Sequence, residues 1–108
     1  MIHLKEGVTT AGVQPQLLDG ILSLVEVYLQ YNLVLVVTAL TDGVHHAGSL
    51  HYRGYAADLR TRTVPAWQLP HLLDAVQRKL GYDWDVVQEV DHFHIEYDPQ
   101  HDGGKSLA

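Results

Sequence analysis

From Leu17 to Leu29 apolar residues recur at helical spacing, with Leu18, Leu22, Val25 and Leu29 on one stripe and Pro15 suited to the first turn. The pattern predicts a core-facing helix that ends near Asn32. Leu33 to Ala39 reads LVLVVTA, rich in branched residues, too short for a typical helix and apolar on both faces, as a buried central strand would be. Thr41 to Ser49 is punctuated by Asp42-Gly43 and Ala47-Gly48 and reads as a loop. A second strand is expected over Tyr55 to Arg60. Beyond Pro65, a stripe of Leu69, Leu72, Leu73, Val76 and Leu80 predicts another helix, with Pro70 in its first turn and Gly81 as its C-cap. Trp84 to Glu89 and His92 to Tyr97 are two strands with so little between them that they must form a hairpin or a bulged bend. Asp98-Pro99 ends the pattern, and a loosely ordered tail is expected over 99–108.

A chain of 108 residues with no repeat and no linker is expected to form a single domain over 1–108, with its core at about 14–98. Hydrophobic residues make up 46% against 19% charged, which supports a core and excludes a disordered chain. Seven Lys and Arg face thirteen Asp and Glu, a net charge of -6, so no basic footprint for nucleic acid or anionic lipid exists. The absence of cysteine excludes disulfides, thiolate zinc fingers, iron-sulfur clusters and Cys nucleophiles. Met1 to Glu6 has no basic region leading into an apolar stretch, and no run approaches the roughly 18 residues of a membrane span. The expectation is a soluble chain, cytoplasmic as made, with no export signal of its own and no membrane insertion.

Eight histidines change the picture, because imidazole is both a metal ligand and a proton carrier. Five fall in two short stretches, His45, His46 and His51 on the loop leaving a strand, and His92 and His94 on the last strand. The segments SLHYRGYAAD, ending in Asp58, and HFHIE, ending in Glu96, hold three histidines and two carboxylates, from which two imidazoles and a carboxylate can be drawn from separate elements. Those are the ligand types of an open zinc site with a fourth position left for water. His51 and Asp58 can meet only if the chain turns between them, which Gly54 permits. In a regular strand His92, His94 and Glu96 share one face, so an ion held by His94 has His92 beside it. Asp58, preceded by two alanines in a strand, needs a neutralising cation: a metal, or else Arg53 or Arg60 through a salt bridge.

At these residues the chain resembles the superfamily of zinc D-Ala-D-Ala peptidases, which includes lysostaphin-type enzymes and the hedgehog signalling domain. SLHYRGYAAD fits the Ser-x-His-x-x-Gly-x-Ala-x-Asp motif, and GYDWDVVQEVDHFH is similar to the hedgehog Gly-aromatic-Asp-Trp stretch that leads to a His-x-His pair. The likeness covers roughly Leu33 to Tyr97. It implies an α+β fold, a small antiparallel sheet with two helices packed against it. By resemblance His51, Asp58 and His94 are the zinc ligands, and His92 assists at the metal. The superfamily's general base lies a few residues before the last ligand, where Glu89 and Asp91 both qualify. Asp91 is preferred for its three-residue interval to His94, and Glu89 sits one position from the hedgehog glutamate. Strict strand parity turns both away, so a bulge or bend near Val90 is required. His45 or His46 matches the hedgehog histidine that precedes the motif.

Two departures from the family shape the expectation. The acidic cluster that holds calcium in hedgehog is replaced by Ala39-Leu40-Thr41-Asp42-Gly43, so no calcium site is expected. The dipeptidase arginine after the strand is replaced by Thr38-Ala39-Leu40, which leaves zinc, His92 or Arg53 to stabilise an oxyanion. The function implied is a zinc metallopeptidase, acting as a monomer on an amide bond of peptidoglycan stem peptides as a D,D-carboxypeptidase or an endolysin-type endopeptidase. Such an enzyme would reach the cell wall after release through a lysed membrane, from a phage or bacterial source. The alternative is a non-catalytic, hedgehog-like zinc-binding interaction module.

Overall fold

The computed structural model describes residues 2–43, 45 and 48–99; the expected loose tail falls almost wholly outside them, as does His46. The elements run β1 (Ile2–Leu4), α1 (Pro15–Gln30), β2 (Leu35–Ala39), β3 (Ala56–Arg60), a 3-10 turn (Ala66–Gln68), α2 (Leu69–Leu80), β4 (Trp84–Gln88) and β5 (His92–Tyr97). The fold is α+β, one five-stranded sheet in the order β1-β2-β3-β5-β4 with two helices packed against it. The sheet is mixed where an antiparallel one was expected. β1 pairs with β2 in parallel, Ile2 opposite Leu35 and Leu4 opposite Val37, while every other pairing is antiparallel. Three residues, IHL, are too few for an alternation that a sequence pattern can register, which is why β1 was not foreseen.

The helices form where the periodicity placed them, but α1 turns a different side to the core. Leu17, Ile21, Leu24 and Tyr28 are its buried stripe, whereas Leu18, Leu22 and Leu29 are 49%, 52% and 65% exposed. Both stripes have helical spacing, so periodicity alone does not choose between them. Gly20 does: a Cβ there would lie 2.3 Å from the Trp84 ring, so the bare backbone on this face is what lets Trp84 approach. α1 ends in a Schellman motif, with Leu33 N–H donating to Tyr28 O and Asn32 N–H to Leu29 O while Asn32 takes φ 58°. α2 begins with a proline in its first turn and is capped by Gly81, as the sequence suggested.

Strand alternation divides the sheet into two faces. Leu35, Val37, Leu59, Phe93 and Ile95 have no solvent exposure and belong to the core cluster under the helices. The intervening residues Thr38, Asp58, Arg60, His92, His94 and Glu96 point to the opposite face, which no helix among the described residues covers. β4 and β5 form a hairpin whose tip carries Val90, fully exposed, and is closed by Glu89 N–H donating to His92 O at 2.8 Å. The bend required near Val90 is therefore this turn. No helix among the described residues is long and apolar enough to cross a membrane.

Candidate metal centre

The open face acquires its site from register and from one loop. Asp58 stands opposite His94 and Arg60 opposite His92 in the β3–β5 ladder, so both imidazoles flank the carboxylate. The loop between β2 and β3 then returns His51 over the strand. Gly54 makes the return possible: it has φ 81°, and a Cβ there would fall 2.0 Å from the Gly12 carbonyl oxygen. The turn expected at Gly54 is thus real. Asp42 steadies the start of the loop, its Oδ1 accepting from the N–H groups of Leu40 and Thr9, each at 2.9 Å. Although burial opposes ionisation of Asp42, these amides hold its carboxyl below the usual range. Asp42 thereby orders the backbone.

All three nearby imidazoles converge on a single oxygen, Asp58 Oδ1: His51 Nε2 at 3.1 Å, His94 Nδ1 at 3.1 Å and His92 Nε2 at 3.7 Å. His51 is 2% exposed and Asp58 9%, so the floor of the site is buried. No arginine pairs with Asp58 among the described residues, and the salt-bridge expectation for Arg53 or Arg60 is not met. Burial on its own would raise the Asp58 pKa. The hydrogen bonds from His51 and His94, helped by the charges of His51 and His92, reverse that and hold the carboxyl far below its usual range.

The far nitrogens show what the site is built to hold. His51 Nδ1 lies 2.6 Å from the Leu40 carbonyl oxygen, and His94 Nε2 lies 2.8 Å from Glu96 Oε1. Each ring thus has an acceptor at both nitrogens. A neutral imidazole has only one N–H, so it cannot serve both. Either both rings are imidazolium, with centroids 5.0 Å apart in a mostly buried site, or each donates to its outer acceptor and turns a lone pair toward Asp58 with a cation between. The second arrangement avoids two adjacent buried charges. His51, Asp58 and His94 each place one ligand atom so that all lie within 4.8 Å of one another. Their 3.1 Å contacts are close to the edge of a tetrahedron with bonds of about 2.0–2.1 Å. The residues therefore fit a metal ion, and Leu40 O and Glu96 set the tautomers of its two histidines.

Above this group lies a cleft of about 490 Å³, lined also by His45, Ser49, Glu89 and Glu96. The His45 ring stacks on His51 at 3.9 Å and anchors through Nε2 to Asp42 O at 2.8 Å. Asp91 lies elsewhere. Its exposed carboxylate accepts from His92 Nδ1 at 2.7 Å, a bond that lowers its pKa, and it lines a neighbouring cleft. Arg53 is not brought to the metal group and faces a third cleft beside Leu50, Tyr55 and Tyr97. Glu96 as the anchor of His94 was not singled out in the sequence. The signal was its two-residue spacing from His94, which puts both on one strand face. No family model, curated protein or solved structure matches this chain.

Proposed function

We propose that the chain is a zinc-dependent metallopeptidase that hydrolyses an amide bond in peptidoglycan stem peptides. The observation that carries this reading is the convergence of three imidazoles on one oxygen of a buried carboxylate at the floor of an open cleft. The choice of zinc and of stem peptides rests on the resemblance of SLHYRGYAAD and the His-x-His pair to the D-Ala-D-Ala peptidases. Zinc held by His51, Asp58 and His94 would supply Lewis acidity to a water and to the scissile carbonyl.

The chain's own residues supply the rest. Glu89, in the wall of the cleft, takes a proton from the attacking water and returns it to the leaving amine. Its position there favours Glu89 over Asp91, whose carboxylate is engaged in orienting His92. His92 turns Nε2 toward the group and in its protonated form donates to the developing oxyanion. His45 backs His51 by stacking, which narrows the cleft on that side.

A second reading, a non-catalytic zinc-binding interaction module, is favoured by one observation: neither Glu89 nor Asp91 is hydrogen-bonded to His51, Asp58 or His94. Metal analysis of the purified chain followed by mass spectrometry of peptidoglycan fragments tests both. One zinc per chain and cut stem peptides are expected, and His94→Ala should abolish both together. Zinc without any cut fragment would leave the binding module, and unchanged zinc content in His94→Ala would overturn the ligand set.

A further inference from the structure

The sheet has two edges, and they are guarded differently. β4 forms one edge and β1 the other, and β2 is the only ladder partner of β1 among the described residues. A strand edge recruits further strands unless charge, a bulge or a covering element prevents it. The acids flanking β4 protect that edge. If β4 paired with its own copy in antiparallel register about Val86, Asp83 would lie opposite Glu89 of the copy, like charge against like charge. β1 reads IHL and carries no acid.

The side of the molecule above β1 is also where α1 is bare. Toward α2 this helix is closed, with Gly20 against Trp84 and Leu80, and Glu26 paired with Lys79. Toward β1 it presents the stripe of Leu18, Leu22 and Leu29, each about half exposed or more. Between Leu18 and the β1 side chains Ile2 and Leu4 lies an open apolar cleft of about 440 Å³, with Thr10 its one polar lining residue. Contiguous apolar surface of this kind marks an interaction site. A second copy fits it, because one twofold axis perpendicular to the sheet satisfies the strand edge and the helix flank together. Antiparallel pairing of β1 about His3 sets Ile2 opposite Leu4 of the copy, and the same rotation keeps both α1 helices on one face with their leucine stripes turned toward each other. A patch as long as α1, about 24 Å, and as deep as the 24 Å thinnest extent of the molecule covers about 550 Å² per copy, roughly 1,100 Å² in all. That reaches the area of about 1,000 Å² at which specific association begins.

We infer that the chain associates with a second copy through β1 and the Leu18, Leu22 and Leu29 flank of α1, forming a dimer with one continuous ten-stranded sheet. The open faces of the two copies then look the same way. At a strand spacing of about 4.8 Å the two groups of His51, Asp58 and His94 stand about 30 Å apart. The dimer takes the place of the expected monomer, goes beyond the peptidase reading and does not depend on it.

Sedimentation equilibrium of the full chain, from about 1 μM to about 500 μM, tests the association. The mass is expected to rise from 12.1 kDa to twice that value, with half of the chains paired at about 1–100 μM. Leu18→Lys and Leu22→Lys, at exposed positions, should each weaken the dimer by about tenfold or more. Should either fail to fold, Leu22→Gln and Leu29→Gln should still weaken it severalfold. The chain has no cysteine of its own, so a His3→Cys variant reports the strand pairing directly: mild oxidation should link two copies by a disulfide. Gln88→Cys, exposed on the β4 edge, should not link them. The mass of one chain throughout the concentration range would overturn the dimer and restore the monomer. Association unchanged by the leucine substitutions, or faster linkage of Gln88→Cys than of His3→Cys, would also overturn it, since the copies would then meet elsewhere.

Discussion

β3 and β5 present two faces made from alternate residues of the same strands, and the faces differ in what holds them. Toward the helices Leu59, Phe93 and Ile95 are fully buried among apolar neighbours, and each contact stabilises the fold without any ligand. Toward solvent Asp58, His92 and His94 crowd one carboxylate oxygen with imidazole nitrogens, an arrangement that becomes favourable only with a cation or with added protons. The covered face decides whether the chain folds, and the open face decides what the folded chain holds. Adjacent residues on one strand should therefore fail in different ways.

The largest effect should come from the covered face. Phe93→Ala removes a ring with no solvent exposure and should destabilise the protein by about 3–5 kcal/mol, read from urea denaturation of the metal-free chain. A loss below about 1 kcal/mol would break the division between the faces. Next comes the rim of the open face. Glu89→Gln should lower the rate of hydrolysis by about 100-fold with zinc retained and the melting transition unchanged, and Asp91→Asn should be milder. The reverse ranking would return the base to Asp91.

The smallest effect, and the one that sharpens the comparison most, is on metal affinity against pH. In the metal-free chain burial lowers the His94 pKa, but hydrogen bonds and charge from Asp58 and Glu96 more than offset this and raise it to about 9. Because His94 carries a second proton below that value, metal must displace it. Apparent zinc affinity should rise by about tenfold per pH unit from 7 toward 9 on account of this proton and flatten above, measured by competition with a chromophoric chelator. Affinity independent of pH over that range would show that His94 is already neutral in the free protein.

How much of this was legible in the sequence depended on how local each feature is. His51, Asp58 and His94 could be named because the first two lie in one ten-residue motif and the third in a His-x-His pair, and their convergence needs only a turn at Gly54 and a strand pairing. The strands carrying them were legible for the same reason, since alternation is written into adjacent residues. The buried side of α1 was not, because Leu18, Leu22 and Leu29 are as apolar and as well spaced as Leu17, Ile21 and Leu24. What decides is Gly20 meeting Trp84, a contact across 64 positions of chain. The ordering of Glu89 and Asp91 was hidden too: both fall at the hairpin tip, where strand parity no longer says which way a side chain points. Arg60 was visible only as an alternative partner for Asp58, whereas the cleft it lines with Lys5 and Arg62 is assembled from separate parts of the chain.

The close approach of Gly54 to Gly12 has a consequence for how the molecule opens. Gln14 N–H donates to Gly54 O at 3.0 Å, and the Gln14 side chain reaches Arg53 O at 3.3 Å, so the residue immediately before α1 is clasped to the loop that carries His51. Neither can fray alone. The loop and the first turn of the helix form one cooperative unit of local unfolding, and an ion gripping His51 raises the opening free energy of both. The amide of Gln14, outside the site and touching none of its ligands, thereby becomes a sensor of occupancy whose exchange with solvent protons is set by whether the centre is filled.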